Sequence, residues 1–383
     1  PDARTLRVTL KESLAFFLDL LSLDSAAVLP RDTPVEGEPG GRVLNGCGPY
    51  RVTATSEGVI EFAATHAAFG STGGPENIRV HRDARALNPA AQQDLVAAGE
   101  LDYASFLDGS HFVGAAVAGS GMRVEQSPLL HVYMLGIRCD LKPLDQPLVR
   151  RALAYALDRQ AIVDRARNGE GVPAQGLLPP GVLGHDRSAR GVTYDPERAR
   201  RLLREAGFPD RADLHVVRPR PTNGRVQSLD VAIEMARAAG FRIEIEEAPT
   251  AISEMPAGWR QRSHLFSTGW IGDYPDPDAF FFPLFHSSGS EIHGYAYSSP
   301  LLDALITEAR GAQDRDKRVA LYRRAERILQ EDMPCIFLWH QKACIVYNPK
   351  VLSPPPFSVI PPFFHPEYAL PPLEEPAPVH RDA

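Results

Sequence analysis

Residues 269–278, with the sequence GWIGDYPDPD, close an apolar stretch that begins at Leu265 and carry three aspartates and two prolines. Prolines fix the backbone, so such a loop loses little conformational entropy when it is ordered. A carboxylate on a stiff loop beside aromatic rings is suited to hold an ammonium group through a charge-assisted hydrogen bond. The open edge of the preceding strand can pair with an extended peptide. The pattern therefore predicts a strand that ends in a ligand-binding loop.

The alternative interpretation is a surface loop whose aspartates cap a helix. Asp276 and Asp278 fit it well, because they precede the aromatic run Phe280-Phe281-Phe282 and can accept hydrogen bonds from the first turn of a helix. From the residues alone the two interpretations are about equally supported.

Strand and helix patterns alternate along the rest of the chain, which predicts an α/β fold. Residues 214–217, 228–240 and 241–245 follow the strand–helix–strand order of a βαβ unit. The other predicted strands are residues 5–10, 50–54, 59–62, 77–81, 101–103, 265–270, 335–339 and 343–347. Further helices are predicted at residues 13–21, 89–98, 149–162, 196–206 and 300–310, and from Asp314 onward.

Length and composition limit the possible classes of protein. The chain has 383 residues, enough for about two domains. Its formal net charge of −7 argues against direct nucleic-acid binding. No apolar run reaches the length of a membrane-spanning helix, and the first residues lack the pattern of a signal peptide.

Signatures of enzymes and cofactor sites are missing from the sequence. It contains no GxxxxGK[ST], HExxH or GxSxG motif, so we predict no enzyme activity and no cofactor. His286 and His293 are conceivable metal ligands, but they lie in a Ser/Gly-rich loop without the spacing of a helical metal site, and we predict no metal. Cys335 and Cys344 flank a possible hairpin, where two separate buried thiols are favoured over a disulfide.

Four segments resemble motifs of the family 5 extracellular solute-binding proteins of ABC importers, the oligopeptide, dipeptide and nickel class. They occur in the family's order: GCGPY at 46–50, VRRALAYALDR at 149–159, YDPERARRLLREAG at 194–207 and GWIGDYPDPD at 269–278. Cys47 stands where the family has threonine. Each motif is moderately specific, and the ordered set of four is strong.

The resemblance implies an α/β, two-lobe fold of the periplasmic-binding-protein type (type II, cluster C), in which lobe closure traps a ligand. Residues 131–339 are expected to form one continuous lobe, and residues 1–130 are expected to form a split lobe completed by residues 340–383. The segment that usually opens the family's first lobe is not found before residue 5. We therefore expect part of that lobe, and any signal or lipid anchor, to be missing from this sequence.

The resemblance also implies the site and the partners. Asp273 is expected to hold the ligand's α-ammonium, while Gly269, Trp270 and Ile271 pair with a peptide backbone. Trp270 and Tyr274 are expected to wall the pocket. The expected function is a monomeric periplasmic or extracellular receptor, anchored at the membrane, that hands peptides or similar small solutes to an ABC permease.

Two alternatives remain open at this point. Some winged-helix transcriptional regulators use the same fold as a cytoplasmic ligand sensor, which agrees with the missing first segment. A nickel or metallophore receptor is the other alternative, and His286 and His293 are its only support. The intact GWIGDYPDPD loop favours the transport receptor, and the identity of its ligand stays open.

Overall fold

The computed structural model describes residues 5–23, 26, 28, 48–56, 58–65, 75–81, 89–106, 119–188, 191–220, 224–251, 254–256, 258–290 and 293–352. The chain divides into two units. The larger comprises Pro1–Ser22 and Pro128–Lys342, and the smaller comprises Leu23–Ser127 and Ala343–Ala383. The predicted lobe boundaries stay a prediction. In this division residues 1–22, which we expected in the split lobe, group with the larger unit.

The helices and strands alternate along most of the described chain. In chain order they are α1 (Phe17–Leu20), β1 (Tyr50–Ser56), β2 (Val59–Ala64), β3 (Asn77–His81), α2 (Pro89–Ala97), β4 (Tyr103–Phe106), β5 (Arg123–Ile137), α3 (Pro147–Ala156), α4 (Arg159–Arg167), β6 (Val172–Pro173), α5 (Pro196–Glu205), β7 (Ala212–Arg218), α6 (Gly224–Ala238), β8 (Phe241–Glu247), a 3₁₀ turn (Trp259–Arg262), β9 (Leu265–Ile271), α7 (Asp278–Phe285), α8 (Ser287–Ser290), α9 (Pro300–Gly311), α10 (Arg315–Asp332) and β10 (Cys335–Tyr347).

In the smaller unit, β1, β2 and β3 form an antiparallel sheet in that order. The predicted hairpin of β1 and β2 is confirmed, with Val52 opposite Phe62. Strand β4 pairs antiparallel with the last residues of β10, where Cys344 lies opposite Phe106.

In the larger unit, β5 lies between β10 and β9, and β6 pairs with β10. Strands β7 and β8 pair in parallel, with Leu214 opposite Ile243, and α6 connects them, so the predicted βαβ unit is confirmed. The apolar faces of α3, α4 and α5 pack with α6 and these strands into the main core. Leu153, Ile162 and Leu203 are among its buried residues.

Helix starts follow the local signals in the sequence. Asp195, Ser299 and Asp314 each accept a hydrogen bond from a backbone N–H in the first helical turn. Such caps satisfy donors that have no partner inside the helix. The predicted starts of α5, α9 and α10 are therefore confirmed.

Two predicted strand arrangements are wrong. Residues 5–10 alternate like a strand but form none, because no described strand pairs with them. The two late strands are one continuous strand, β10, because His340 and Gln341 are buried in the sheet and do not form a turn. Cys335 and Cys344 consequently lie at separate positions of that strand, and no disulfide joins them. Gly46, Cys47 and the proline-rich residues 353–383 lie outside the described residues.

A buried carboxylate fixes the segment that follows β6. Glu326 of α10 is 8% exposed, and its Oε1 accepts a hydrogen bond from the Leu177 N–H at 2.7 Å. A Cβ at Gly176 would overlap this carboxylate. Burial raises the pKa of Glu326 to about 7; the negative charge of Asp186 adds to this and the positive charge of Arg323 opposes it.

We predict that Glu326→Gln removes a pH-dependent part of the stability. Because the folded-state pKa of Glu326 (about 7) exceeds the ordinary value of 4.5, the native state binds this proton more tightly than the unfolded state does. Its favourable contribution is complete below pH 4.5 and is lost as the pH rises to 7. At about 1.4 kcal/mol per pKa unit, the loss is at most about 3 kcal/mol.

Urea unfolding of the wild type and of Glu326→Gln between pH 4.5 and 8 measures this difference. Glutamine keeps the oxygen that accepts from Leu177, so the variant gains relative stability as the pH rises. Glu331→Gln, at an exposed position on the same helix, is the matched control. Parallel pH profiles for the wild type and Glu326→Gln would contradict the prediction.

The packing of β9 against β5 depends on a glycine. Gly136 lies opposite Phe266, and the Phe266 ring fills the space that a Cβ at position 136 would need. The ring is fully buried and stacks on Tyr295 at a centroid distance of 5.9 Å. The Phe266 side chain therefore packs directly over Gly136 of the neighbouring strand.

We predict that Gly136→Ala lowers the free energy of unfolding by about 1–3 kcal/mol through overpacking. Phe266→Leu makes room beside position 136, so the double variant should be more stable than the sum of the two single effects predicts. Chemical denaturation of the three variants measures the coupling, and strictly additive effects would exclude this steric cause.

Candidate ligand-binding site

The candidate loop begins where β9 ends. The Gly272 N–H donates to the Leu130 carbonyl of β5 at 2.7 Å, so pairing with β5 extends one residue past β9. A Cβ at Gly272 would lie 2.7 Å from the Phe280 ring, and glycine is therefore the residue that fits. Asp273 is the first residue beyond this pairing.

The outer edge of β9 is the second part of the site. In an antiparallel pair, successive residues direct their main-chain groups to alternate sides. Because Gly272 faces β5 and the register has no irregularity, Gly269 and Ile271 direct their N–H and C=O groups away from β5. Strand β9 ends the described strand order, and we find no hydrogen bond from these groups to another described residue.

The three aspartates of the loop have different surroundings. Asp273 is exposed, and within the described part of the chain its carboxylate has no hydrogen bond or ion pair. Asp276 and Asp278 are 3% and 2% exposed. A buried carboxylate needs a partner to offset its lost hydration, whereas an exposed one does not.

Asp276 is paired with Arg318 of α10. Two guanidinium nitrogens donate to its two carboxylate oxygens, each at 2.8 Å, and Arg318 is itself buried. The same carboxylate accepts the Asp278 N–H at 2.9 Å. Asp276 thus accepts the N–H of the first residue of α7, although the N-cap residue of this helix is Pro277 and makes no side-chain capping bond. Asp276 also connects the loop to a helix some forty residues further along the chain.

Asp278 is the first residue of α7 and is paired with Arg310 of α9. One Arg310 nitrogen lies 2.9 Å from both carboxylate oxygens, and the Tyr274 hydroxyl donates to the same carboxylate at 3.0 Å. Burial raises the pKa of Asp278 to about 6, and the nearby guanidinium of Arg310 opposes this rise. Burial also raises the pKa of Tyr274.

Trp270 is half-buried on the opposite face of β9 from Ile271. Its indole N–H donates to the Ala279 carbonyl at 2.6 Å, and its ring meets His293 edge-on at 5.2 Å. Ile271 is 52% exposed. The five predicted site residues therefore lie on one strand end and the loop that follows it.

Sequence reasoning missed the residues that hold this loop. Arg318 binds the second aspartate of the loop and Arg310 binds the third. The Phe16 ring stacks on Tyr274 at a centroid distance of 5.4 Å. The sequence offered one indication of these residues: three acidic residues in a loop flanked by apolar segments. Any of these carboxylates that is buried requires a basic partner. Nothing local indicates which basic residues these are.

The histidines considered as metal ligands have other contacts. His286 Nδ1 lies 2.7 Å from the Ser288 hydroxyl, and burial together with the charge of Arg260 lowers the pKa of His293. In the described ranges no group of three or more His, Cys, Asp or Glu residues is placed to hold a metal ion.

The chain is similar to known solute-binding proteins. A family model described as bacterial extracellular solute-binding proteins, family 5 Middle, matches residues 1–291. The dipeptide-binding protein of Escherichia coli K12 is 34% identical over 225 residues, which are 56% of this chain and 41% of that protein. The glutathione-binding protein GsiB of Salmonella choleraesuis is 26% identical over 355 residues, which are 89% of this chain and 68% of that protein.

A solved structure shows the same fold. The dipeptide-binding protein of Pseudoalteromonas sp. SM9913 in complex with Met-Leu has a TM-score of 0.68 and 21% sequence identity, covering 93% of this chain and 73% of that one. This confirms the predicted α/β fold of the periplasmic-binding-protein type. The chain spans between 41% and 68% of the length of the two curated relatives named above.

The family model matches most of the chain and therefore defines its class of protein. The chain belongs to family 5 of the bacterial extracellular solute-binding proteins. This confirms the resemblance that the four sequence motifs indicate. In the described residues, no helix has both the length and the apolar character needed to cross a membrane.

We predict that Asp276→Asn lowers the free energy of unfolding by about 3–5 kcal/mol, because it leaves the buried Arg318 guanidinium without a counter-charge. The double variant Asp276→Asn/Arg318→Met removes that unpaired charge and should recover part of the loss. Urea unfolding measures both.

The control is Glu234→Gln, which breaks the exposed ion pair with Arg165 in the same unit and should have little effect on the free energy of unfolding, because water already screens that pair. Equal, small effects for Asp276→Asn and Glu234→Gln would show that the buried pair does not hold the loop.

Proposed function

We propose that this chain is part of the substrate-binding component of an ABC importer and that it captures short peptides or similar amine-bearing solutes. In this proposal Asp273 binds the ligand's ammonium group, and the outer edge of β9 binds its main chain. The observation that carries the proposal is the exposed carboxylate of Asp273, which pairs with no described residue and lies two residues beyond the outer edge of β9.

The chemistry at Asp273 suits a primary ammonium. An ammonium group carries three donors, and a carboxylate accepts up to four hydrogen bonds. The bond between them is charge-assisted and is stronger than a neutral one. Asp276 and Asp278 are already bound to arginines, so Asp273 is the carboxylate of this loop that remains for a ligand.

The strand edge adds affinity without reading the ligand's sequence. A peptide that extends β9 would exchange main-chain hydrogen bonds with Gly269 and Ile271, which are two residues apart and face the same side. Side chains of the ligand would then point alternately to the two faces of the sheet. Main-chain pairing would favour a peptide as the ligand, while the contact with the ammonium group would accept any amine.

The relatives support the same class of ligand. Two are named for binding a dipeptide or glutathione, and both ligands contain a free amino group and at least one amide bond. By the same reasoning, we propose a periplasmic or extracellular location and delivery of the ligand to a membrane permease as a monomeric receptor.

We predict that Asp273→Asn weakens binding of Met-Leu by about 2–4 kcal/mol, or roughly 30- to 1000-fold in Kd, because one partner of a charge pair is removed. Titration calorimetry with the 383-residue chain measures this. Glutathione and Ni²⁺ are titrated in parallel to compare ligand classes.

Two controls make the result specific. Asp210→Asn changes an exposed aspartate elsewhere in the larger unit and should leave binding unchanged. N-acetyl-Met-Leu lacks the ammonium, so it should bind weakly and equally to the wild type and to Asp273→Asn. Wild-type affinity of Asp273→Asn for Met-Leu would exclude the ammonium role, and binding of Ni²⁺ alone would favour a metal receptor instead.

A further inference from the structure

Phe16 is the one buried residue of the described segment 5–23, whose other residues are exposed or half-buried. Its side chain is 2% exposed, whereas Leu18 and Leu21 on the same segment are 78% and 51% exposed. An apolar ring is buried in such a segment only where another part of the molecule covers it. Phe16 therefore marks the point at which this segment docks.

The backbone around Phe16 is fixed to the end of α9. The Ala15 N–H donates to the Arg310 carbonyl at 3.0 Å, and the Ser13 hydroxyl donates to the Gly311 carbonyl at 3.3 Å. Carbonyls in the last turn of a helix have no partner inside the helix, so these bonds satisfy acceptors that need one. The Gln313 side-chain amide also donates to the Ser13 hydroxyl, at 2.9 Å.

The Phe16 ring lies against the ligand loop. It stacks on Tyr274 with a centroid distance of 5.4 Å and an angle of 11° between the planes. The guanidinium carbons of Arg310 and Arg318 lie 5.3 and 6.0 Å from the centroid of the Phe16 ring. Phe16 thus contacts the side chain next to Asp273 and lies beside both arginines that hold the other two aspartates.

Tyr274 is held at both ends of its side chain. Phe16 stacks on its ring, and Asp278 accepts from its hydroxyl at 3.0 Å. Because Tyr274 directly follows Asp273, the position of its ring constrains the backbone that presents the Asp273 carboxylate. The two arginine pairs act further along the loop, at residues 276 and 278.

We propose that Phe16 is a positioning residue for the ligand loop: residues 13–16 hold Tyr274 in place, and through it they set the orientation of Asp273. Ligand affinity then depends on a residue more than 250 positions away in the sequence that does not itself touch the ligand. The part of this proposal that concerns affinity rests on the proposed function, whereas the part that concerns loop order does not.

The test compares three substitutions at one position with an exposed control. Phe16→Ala removes the ring, Phe16→Leu keeps apolar burial without the stack, and Phe16→Tyr keeps the stack. Leu18→Ala changes the exposed neighbour. Each full-length variant is titrated with Met-Leu and is analysed by hydrogen–deuterium exchange of the fragment that contains residues 272–278.

We expect Phe16→Ala to weaken Met-Leu binding by about tenfold, in line with the loss of an aromatic contact. Exchange should rise in residues 272–278, where the Gly272, Asp276 and Asp278 amides are hydrogen-bonded, and should stay unchanged in β7 and β8. Phe16→Tyr should restore both the affinity and the slow exchange, Phe16→Leu should restore neither because it lacks the stack, and Leu18→Ala should match the wild type.

Unchanged exchange and affinity in Phe16→Ala would overturn the proposal, as would an increase in exchange spread evenly over the larger unit, which indicates general destabilisation. If the wild type binds neither Met-Leu nor glutathione, the proposed function fails. In that case the exchange comparison alone decides whether Phe16 positions the loop.

Discussion

The arrangement of this site depends on the need of buried carboxylates for cationic partners. The loop after β9 carries three aspartates, and the fold supplies a buried arginine for one and a half-buried arginine for another. These two ion pairs fix the loop to α9 and α10. The remaining aspartate, Asp273, stays in water at the point where the loop leaves β9. The same ten-residue loop therefore contains two aspartates that anchor it and one aspartate, Asp273, that is exposed.

The strand and the loop contribute different kinds of recognition. Strand β9 presents the main-chain groups of Gly269 and Ile271 on its outer edge, which suits any extended backbone. In the proposed function, Asp273 adds a charge that would distinguish an amine from a neutral end. Glycines at positions 136 and 272 let the rings of Phe266 and Phe280 pack closely against β5 and the end of β9. This combination agrees with membership of a family of solute-binding proteins.

Features encoded locally could be predicted from the sequence, while long-range pairings could not. The helices after Asp195, Ser299 and Asp314 and the βαβ unit follow from caps and periodicity within a few residues. The candidate site residues could be proposed from the sequence because they lie in one short segment. Arg310, Arg318 and Phe16 were missed because their partners lie 32, 42 and 258 residues away, respectively. Strand β10 was divided in two because a polar His-Gln pair resembles a turn, although the fold buries it.

A crystal structure of the protein grown with Met-Leu would show directly whether Asp273 and the outer edge of β9 bind the ligand. We expect the ligand's ammonium nitrogen to lie within about 3 Å of the Asp273 carboxylate. We also expect the ligand's main chain to pair with Gly269 and Ile271. Asp276 and Asp278 should keep their arginine partners in the complex. A ligand whose amine contacts Asp276 or Asp278, or one bound away from the edge of β9, would exclude the proposed binding mode.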